Sequence, residues 1–145
     1  MNRNQPWHSY RQVSMQTASP GQLVLLLYDG ALRFLEQARL GFACDDPKAF
    51  NESINNNVVR AQAIINELNG SLDMRAGGEF SLKLRALYEY LDRRLFESNL
   101  HKEEKGIDEA IQRLTVLRES WAEMLRHRAD DLPVNDHSSA LSAAV

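Results

Sequence analysis

The sequence predicts an all-α protein, an antiparallel four-helix bundle with a short N-terminal helical or extended segment and a disordered C-terminal tail. Three observations support this prediction. Four long segments repeat apolar residues at spacings of three and four, and no segment alternates apolar and polar residues as a strand does. The connections between the four segments are short, which in a bundle places consecutive helices antiparallel. With 145 residues, the chain is long enough for one domain with a substantial core.

The first helix is predicted from residue 20 to about residue 42. Ser19 suits the N-cap, where its hydroxyl accepts from a free backbone N–H, and Pro20 suits the first helical position, where no N–H is needed. The main apolar stripe is predicted as Leu23, Leu27, Ala31, Phe34, Leu35, Ala38 and Phe42. A second apolar row consists of Leu25, Tyr28 and Leu32. This helix therefore carries more apolar surface than a one-sided helix needs.

The second helix is predicted over residues 47–68, with Asp46 as its cap and Pro47 at its first position. Asn69 and Gly70 are expected to end it. Its core stripe is predicted as Phe50, Ile54, Val58, Ala61, Ile65 and Leu68. The face away from that stripe is nearly uncharged and consists of Asn55, Val59, Gln62, Ala63 and Asn66. Amides and small apolar groups lose less on leaving water than charges do, so this face suits burial against a partner.

The third and fourth helices are predicted over residues 79–101 and 104–128. The third has a core stripe of Phe80, Leu84, Leu87, Tyr88, Leu91 and Leu95, and a second row of Leu82, Ala86, Phe96 and Leu100. The fourth has the stripe Ile107, Ile111, Leu114, Leu117, Trp121 and Leu125, and its opposite face is charged. Gly106, near the start of the fourth helix, is expected to cost about 1 kcal/mol relative to alanine.

The extra apolar or uncharged surface on three of the four helices predicts a groove for an extended or helical ligand. The candidate partner-binding residues of the bundle are Leu25, Tyr28, Asn55, Val59, Gln62, Leu82 and Phe96. Ordinary packing between helices is the alternative explanation for the second rows, because a central helix can be buried on every side.

The segment before the bundle, residues 1–18, is named the leader here. It carries Tyr10, Val13 and Met15 at spacings of about three, and we expect these residues to bind the groove while it is empty. A frayed terminus with incidental apolar residues is the alternative. The bundle is then expected over residues 19–128, and the polar, small residues 129–145 are expected to form a flexible tail.

Composition excludes several classes of function. The 17 basic and 20 acidic residues nearly balance, and no basic run is interleaved with aromatic residues, so we expect no nucleic-acid partner. No apolar run approaches the roughly 20 residues of a membrane span, and the first residues lack the apolar core of a signal peptide. The single cysteine, Cys44, permits no internal disulfide. These features predict a cytosolic protein without membrane insertion.

No enzymatic chemistry, metal site or cofactor is predicted. The four histidines are far apart in sequence, and no glutamate is followed three residues later by histidine as in di-iron bundles. A histidine phosphotransfer bundle is one alternative, because His101 is followed by lysine and glycine. The basic residue and the glycine come one position too late for the usual pattern, and His101 lies at a predicted helix end. The other alternative is a self-associating structural or adaptor protein, whose second rows bury against a second copy.

The ordered motifs of the chain resemble the flagellin export chaperones of the FliS family. The resemblance extends over about residues 8 to 125. It rests on Tyr10, Thr17-Ala18-Ser19-Pro20, Leu27-Tyr28-Asp29-Gly30-Ala31, Ala61, Ile64-Ile65, Leu72-Asp73, Gly77-Gly78-Glu79, Leu87-Tyr88-Glu89-Tyr90, Arg93-Arg94-Leu95, Asn99-Leu100 and Trp121. The first six residues and the tail after about 128 match nothing in that pattern.

The resemblance implies a cytosolic, non-enzymatic chaperone that binds the C-terminal segment of flagellin. In such proteins this segment is disordered when free and becomes helical on the chaperone, which prevents premature polymerisation and delivers flagellin to the type III export apparatus. The resemblance also implies that the leader occupies part of the binding site in the free protein. Export-gate components and, in some members, the anti-sigma factor FlgM are further implied partners. We expect a monomer or weak dimer in the absence of the client, the protein that the chaperone binds.

Overall fold

The computed structural model describes residues 19–130, and within them it confirms the predicted four-helix bundle. The helices are α1 (Pro20–Gly41), α2 (Pro47–Gly70), α3 (Gly78–His101) and α4 (Lys105–Asp130). α2 and α4 therefore each end slightly later than predicted. The leader, with Tyr10, Val13 and Met15, and residues 131–145 of the predicted tail lie outside the described residues.

Both predicted N-caps are confirmed. The backbone N–H of Gln22 donates to Ser19 Oγ at 3.2 Å, and the backbone N–H of Ser19 donates to Gln22 Oε1 at 3.1 Å. These reciprocal bonds form a capping box, which satisfies two donors that a helix start otherwise leaves free. At the start of α2, the backbone N–H of Ala49 donates to Asp46 Oδ2 at 2.8 Å. The caps fix where α1 and α2 begin.

Each helix packs against two neighbours, in the cyclic order α1, α2, α3, α4. The start of α1 lies beside the end of α4, since Trp121 Nε1 donates to the carbonyl oxygen of Gly21 at 2.7 Å. The end of α1 lies beside the start of α4, where Arg39 Nη1 donates to Asp108 Oδ1 at 3.0 Å. α1 and α4 are therefore antiparallel. In the cyclic order, the α1/α4 contact and the α2/α3 contact lie on opposite sides of the bundle.

The core row of α1 differs from the predicted stripe. The buried apolar residues of α1 are Val24, Tyr28, Ala31, Leu35 and Ala38, whereas Leu23 and Leu27 are only half-buried. Of the other residues in the predicted stripe, Leu27, Phe34 and Phe42 are half-buried and pack against the core. The buried row of α1 includes Tyr28, whose hydroxyl lies 2.6 Å from the buried hydroxyl of Tyr88.

Gly106 permits a close approach of α3 and α4. A Cβ at this position would lie 2.3 Å from Ser98 Oγ and 2.8 Å from the carbonyl oxygen of Arg94. The expectation that Gly106 is a minor weakness of the fourth helix was wrong, because the missing side chain is what allows the two backbones to pack. Within residues 19–130, no helix combines the length and apolar character needed to cross a membrane.

Candidate protein-binding face

The outer surfaces of α2 and α3 form one continuous exposed face. This α2/α3 face consists of Asn55, Val59, Ala63 and Asn66 from α2 and Leu82, Ala86, Glu89, Arg93, Phe96 and Leu100 from α3, all exposed. Val59, Leu82, Phe96 and Leu100 are 49–63% exposed, so this face carries four of the six large apolar side chains that are exposed among residues 19–130. The two other strongly exposed apolar side chains among residues 19–130, Leu40 and Val116, lie on α1 and α4.

Three polar pairs join α2 to α3 along this face, and we name them the polar ladder. Asn99 Nδ2 donates to Asn55 Oδ1 at 2.9 Å, and Gln62 Nε2 donates to Asp92 Oδ1 at 3.1 Å and to the Asp92 carbonyl oxygen at 3.2 Å. Arg85 donates from Nε to Asn69 Oδ1 at 3.1 Å and from Nη2 to the Asn69 carbonyl oxygen at 3.3 Å. On both helices, successive members are seven residues apart, about two turns, so they recur on one side of each helix.

The ladder places Val59 and Phe96 next to the α2/α3 contact. Val59 lies between Asn55 and Gln62 on α2, and Phe96 lies between the partners of those two residues on α3. The same two hydrogen-bonded pairs therefore bracket both apolar side chains on one side of the bundle. Leu82 lies about one turn before Arg85 on α3, and Leu100 lies about one turn after Phe96. These large apolar side chains form a strip along an antiparallel helix pair, which Glu89 and Arg93 interrupt on α3. Such a surface suits an extended or helical segment.

The structure brings together five of the residues predicted to bind a partner: Asn55, Val59, Gln62, Leu82 and Phe96. Tyr28 does not belong with them. It is 2% exposed and lies in the core, so its prediction as a partner contact was wrong. The second row of α1 was misread because a helix with two neighbours buries more than one row, and the hydroxyl of Tyr28 is satisfied internally.

Leu25 is also separated from the α2/α3 face. It is half-buried and packs against the core. It lies four residues after Gly21 and four before Asp29, and these two residues bond to α4 through Trp121 and Arg118. Leu25 therefore lies toward α4, on the opposite side of the bundle. The predicted groove drew residues from α1, α2 and α3. The exposed face in the structure is formed by α2 and α3 without α1.

A charged network on the neighbouring α3/α4 side fixes the other edge of α3. Tyr90 Oη donates to both carboxylate oxygens of Glu109, at 3.0 and 2.8 Å, and Arg94 Nε donates to Glu109 Oε1 at 3.0 Å. The bonds from Arg94 and Tyr90 lower the pKa of Glu109 below its ordinary value. Arg113 adds an ion pair with Glu109 at 3.2 Å. This cluster holds α3 against α4, on the side of α3 away from the polar ladder.

Sequence reasoning missed the α3 half of the polar ladder. Asp92 and Arg85 were not identified, and Asn99 was named only as part of the family resemblance, because each is an ordinary polar residue beside an apolar stripe. A signal was nevertheless present on α2, where an amide recurs every seven residues along the flank of the core stripe. Such a period is typical of positions that face one neighbouring helix, not of a face that is simply solvated.

Comparisons with known proteins give one consistent result. The family model described as "Flagellar protein FliS" matches residues 3–128. The flagellar secretion chaperone FliS of Bacillus subtilis (strain 168) is 34% identical over 126 residues, which cover 87% of this chain and 90% of the relative. The FliS chaperone of Salmonella typhimurium is 35% identical over 120 residues, covering 80% and 87% of the two chains. The FliS chaperone of Campylobacter jejuni is 33% identical over 127 residues, covering 86% and 94%.

Proposed function

The chain belongs to the FliS family of flagellar secretion chaperones, and we propose that it binds the disordered C-terminal segment of flagellin in the cytosol through the α2/α3 face. Binding covers the part of flagellin that would otherwise polymerise, and the complex then delivers flagellin to the flagellar type III export apparatus. The single observation that carries the proposal is the strip of Val59, Leu82, Phe96 and Leu100, which gathers four large exposed apolar side chains on one side of the bundle.

The chemistry of the face fits a segment that folds on binding. Ordering a disordered chain costs conformational entropy, and the segment must offset this cost by burying apolar surface. The strip supplies that surface, while Asn55, Ala63 and Asn66 border it without charges that would be costly to desolvate. Glu89 and Arg93 contribute one charge of each sign, so the face carries no net charge. We therefore expect it to select an amphipathic segment by the apolar side of that segment.

We extend the proposal to the leader. Tyr10, Val13 and Met15 offer apolar side chains similar in kind to those of a client segment. In the free protein they occupy part of the binding surface, and the client displaces them. Release at the export apparatus then follows from competition for the same surface and requires no covalent chemistry. FlgM and export-gate components are further proposed partners in this scheme.

The test measures flagellin binding by the full chain and by paired aspartate variants. Val59→Asp and Phe96→Asp place a charge on the α2/α3 face. Val116→Asp and Leu40→Asp make comparable changes at side chains that are 61% and 66% exposed elsewhere on the bundle. The face variants are expected to weaken binding at least about tenfold, and the controls to leave it within about twofold. Because all four sites are exposed, melting temperatures are expected to change little.

Two results would contradict the proposal. One is equal weakening by the face variants and the controls, and the other is undiminished binding of flagellin that lacks about its last 40 residues, the segment expected to order on binding. Sedimentation with and without flagellin tests the alternative of self-association. A surface used between two copies would give a dimer that persists after flagellin is added, whereas a client surface gives a complex with one flagellin.

A further inference from the structure

The amides of the polar ladder already form hydrogen bonds between α2 and α3. Gln62 Nε2 is held by both the side chain and the backbone of Asp92, and Gln62 is half-buried. Asn55 Oδ1 accepts from Asn99, and Asn99 Oδ1 in turn accepts from Lys102 Nζ at 2.8 Å. A ligand that bonded to Gln62 Nε2 or Asn55 Oδ1 would have to compete with bonds that join α2 to α3. This arrangement suits residues that act on the two helices, not on the ligand.

Apolar packing alone specifies the alignment of two helices weakly, because one apolar side chain replaces another with little cost when a helix slides or rotates. Polar pairs are more selective, since they satisfy each other only in one register. A shift of α3 by one residue moves its side chains by about 1.5 Å along the axis and 100° around it, which would break all three pairs together. The ladder therefore allows only one alignment of Val59 with Phe96.

We infer that Gln62 and Asp92, with the two outer pairs of the ladder, are positioning residues. They hold Val59 and Phe96 in the alignment to which a bound segment is complementary. This inference rests on the proposed use of the α2/α3 face. It differs from the expectation drawn from the sequence, in which Asn55 and Gln62 contact the partner. Two roles are then divided on α2: Val59 supplies contact area, and the amides on either side of it set where that area lies relative to α3.

Exchanging the amide and the carboxylate between positions 62 and 92 distinguishes a positioning role of Gln62 from direct contact with the ligand. Gln62→Glu places two carboxylates together and breaks the central pair. The double variant Q62E/D92N restores the side-chain bond with the donor and acceptor exchanged, at the same side-chain lengths and the same net charge as the wild type. The bond from position 62 to the Asp92 carbonyl oxygen is absent from every variant that replaces Gln62, so Q62E and Q62E/D92N differ in the side-chain bond alone. Asp92→Asn alone keeps an amide–amide bond possible. Gln62→Leu removes the bond without adding charge.

The measurement is the affinity of each full-length variant for a labelled C-terminal flagellin segment, well below the lowest melting temperature of the set. We expect Q62E and Q62L to weaken binding by about tenfold, D92N to stay within about threefold of the wild type, and Q62E/D92N to recover to within about threefold. If Gln62 contacted the ligand directly, the double variant would remain as weak as Q62E. That result, or wild-type binding by Q62E and Q62L, overturns the inference.

Val59→Asp in the same series tests the face independently. If V59D binds as well as the wild type, the proposed binding face is wrong, whatever the exchange variants do. If V59D fails to bind and Q62E/D92N does not recover, the face stands and only the positioning role is lost.

Discussion

Tyr28 and Tyr88 meet inside the bundle, with their hydroxyl oxygens 2.6 Å apart and both side chains 2% exposed. They come from α1 and α3, which are not neighbours in the cyclic order, so the bond crosses the core. Burial raises the pKa of both phenols, because the phenolate form is poorly solvated there. The pair is thus a neutral, mutually satisfied polar contact in an apolar interior.

Removing both hydroxyls of this pair is predicted to cost less than the two single removals added together. Tyr28→Phe leaves the hydroxyl of Tyr88 buried without its partner, and we expect the free energy of unfolding to fall by about 1–2 kcal/mol. Y28F/Y88F removes both hydroxyls and is expected to lose less than the sum of the two single variants. Urea unfolding of the four proteins measures both effects. Strictly additive losses would contradict the pairing.

Gly106→Ala is predicted to destabilise the bundle, although alanine favours helices. The new Cβ would lie within 2.8 Å of the Arg94 carbonyl oxygen, which cannot move without shifting α3. We expect a loss of about 1–3 kcal/mol in the free energy of unfolding. Gly70→Ala is the matched control, because a Cβ there meets no atom within 4 Å, and it is expected to stabilise by about 0.5–1 kcal/mol. Similar melting temperatures for the two variants would contradict the close approach.

The Glu109 network predicts a pH-dependent contribution to stability. Arg94 and Tyr90 hold the pKa of Glu109 below its value in the unfolded chain, so folding favours the carboxylate form. The stabilisation is complete above the unfolded pKa of about 4.3 and is lost as the pH falls through the lower folded value. Glu109→Gln is expected to cost about 1 kcal/mol at neutral pH and almost nothing in the acid range. Urea unfolding across this pH range measures the difference, and a constant difference would contradict the prediction.

Deletion of residues 1–16 tests the proposed cover. We expect the shortened protein to keep its helical content and melting behaviour, since Ser19 and Gln22 still cap α1. Removal of a competing segment should raise the affinity for the flagellin segment by about threefold or more, because the binding-competent fraction increases. Calorimetric titration and sedimentation compare the two proteins. Unchanged affinity together with an unchanged oligomeric state would refute the cover.

The sequence was sufficient to predict the helices because their signals are local. Ser19, Asp46 and their following prolines mark helix starts that the structure confirms within the described residues. The exposed strip was predicted on α2 and α3 because Val59, Leu82 and Phe96 lie outside the core stripes of their helices. Periodicity alone could not determine the rotation of α1, since Leu23, Val24, Leu27 and Tyr28 all offer apolar rows, and the choice depends on a residue 60 positions away.

The same limit applies to Gly106 and to the polar ladder. A glycine near a helix start has the same propensity whether it faces solvent or a neighbouring backbone, and only the position of Arg94 and Ser98 distinguishes the two. Likewise, Asn55 and Gln62 have the composition of an uncharged binding surface, but their hydrogen-bond partners come from α3. The seven-residue period of the amides on α2 indicates that they face a neighbouring helix, but it does not identify Asn99, Asp92 and Arg85 as their partners.

The bond between Trp121 and Gly21 has a consequence for how the bundle tolerates rearrangement of its connectivity. It holds the first turn of α1 beside the last turns of α4, where Leu125 also packs against Gly21. A short designed linker between these helix ends, with new termini opened in the loop before Asp46, would give a circular permutant in which α1 is synthesised last. The packing described here does not require α1 to be made first, so such a permutant should fold to the same bundle.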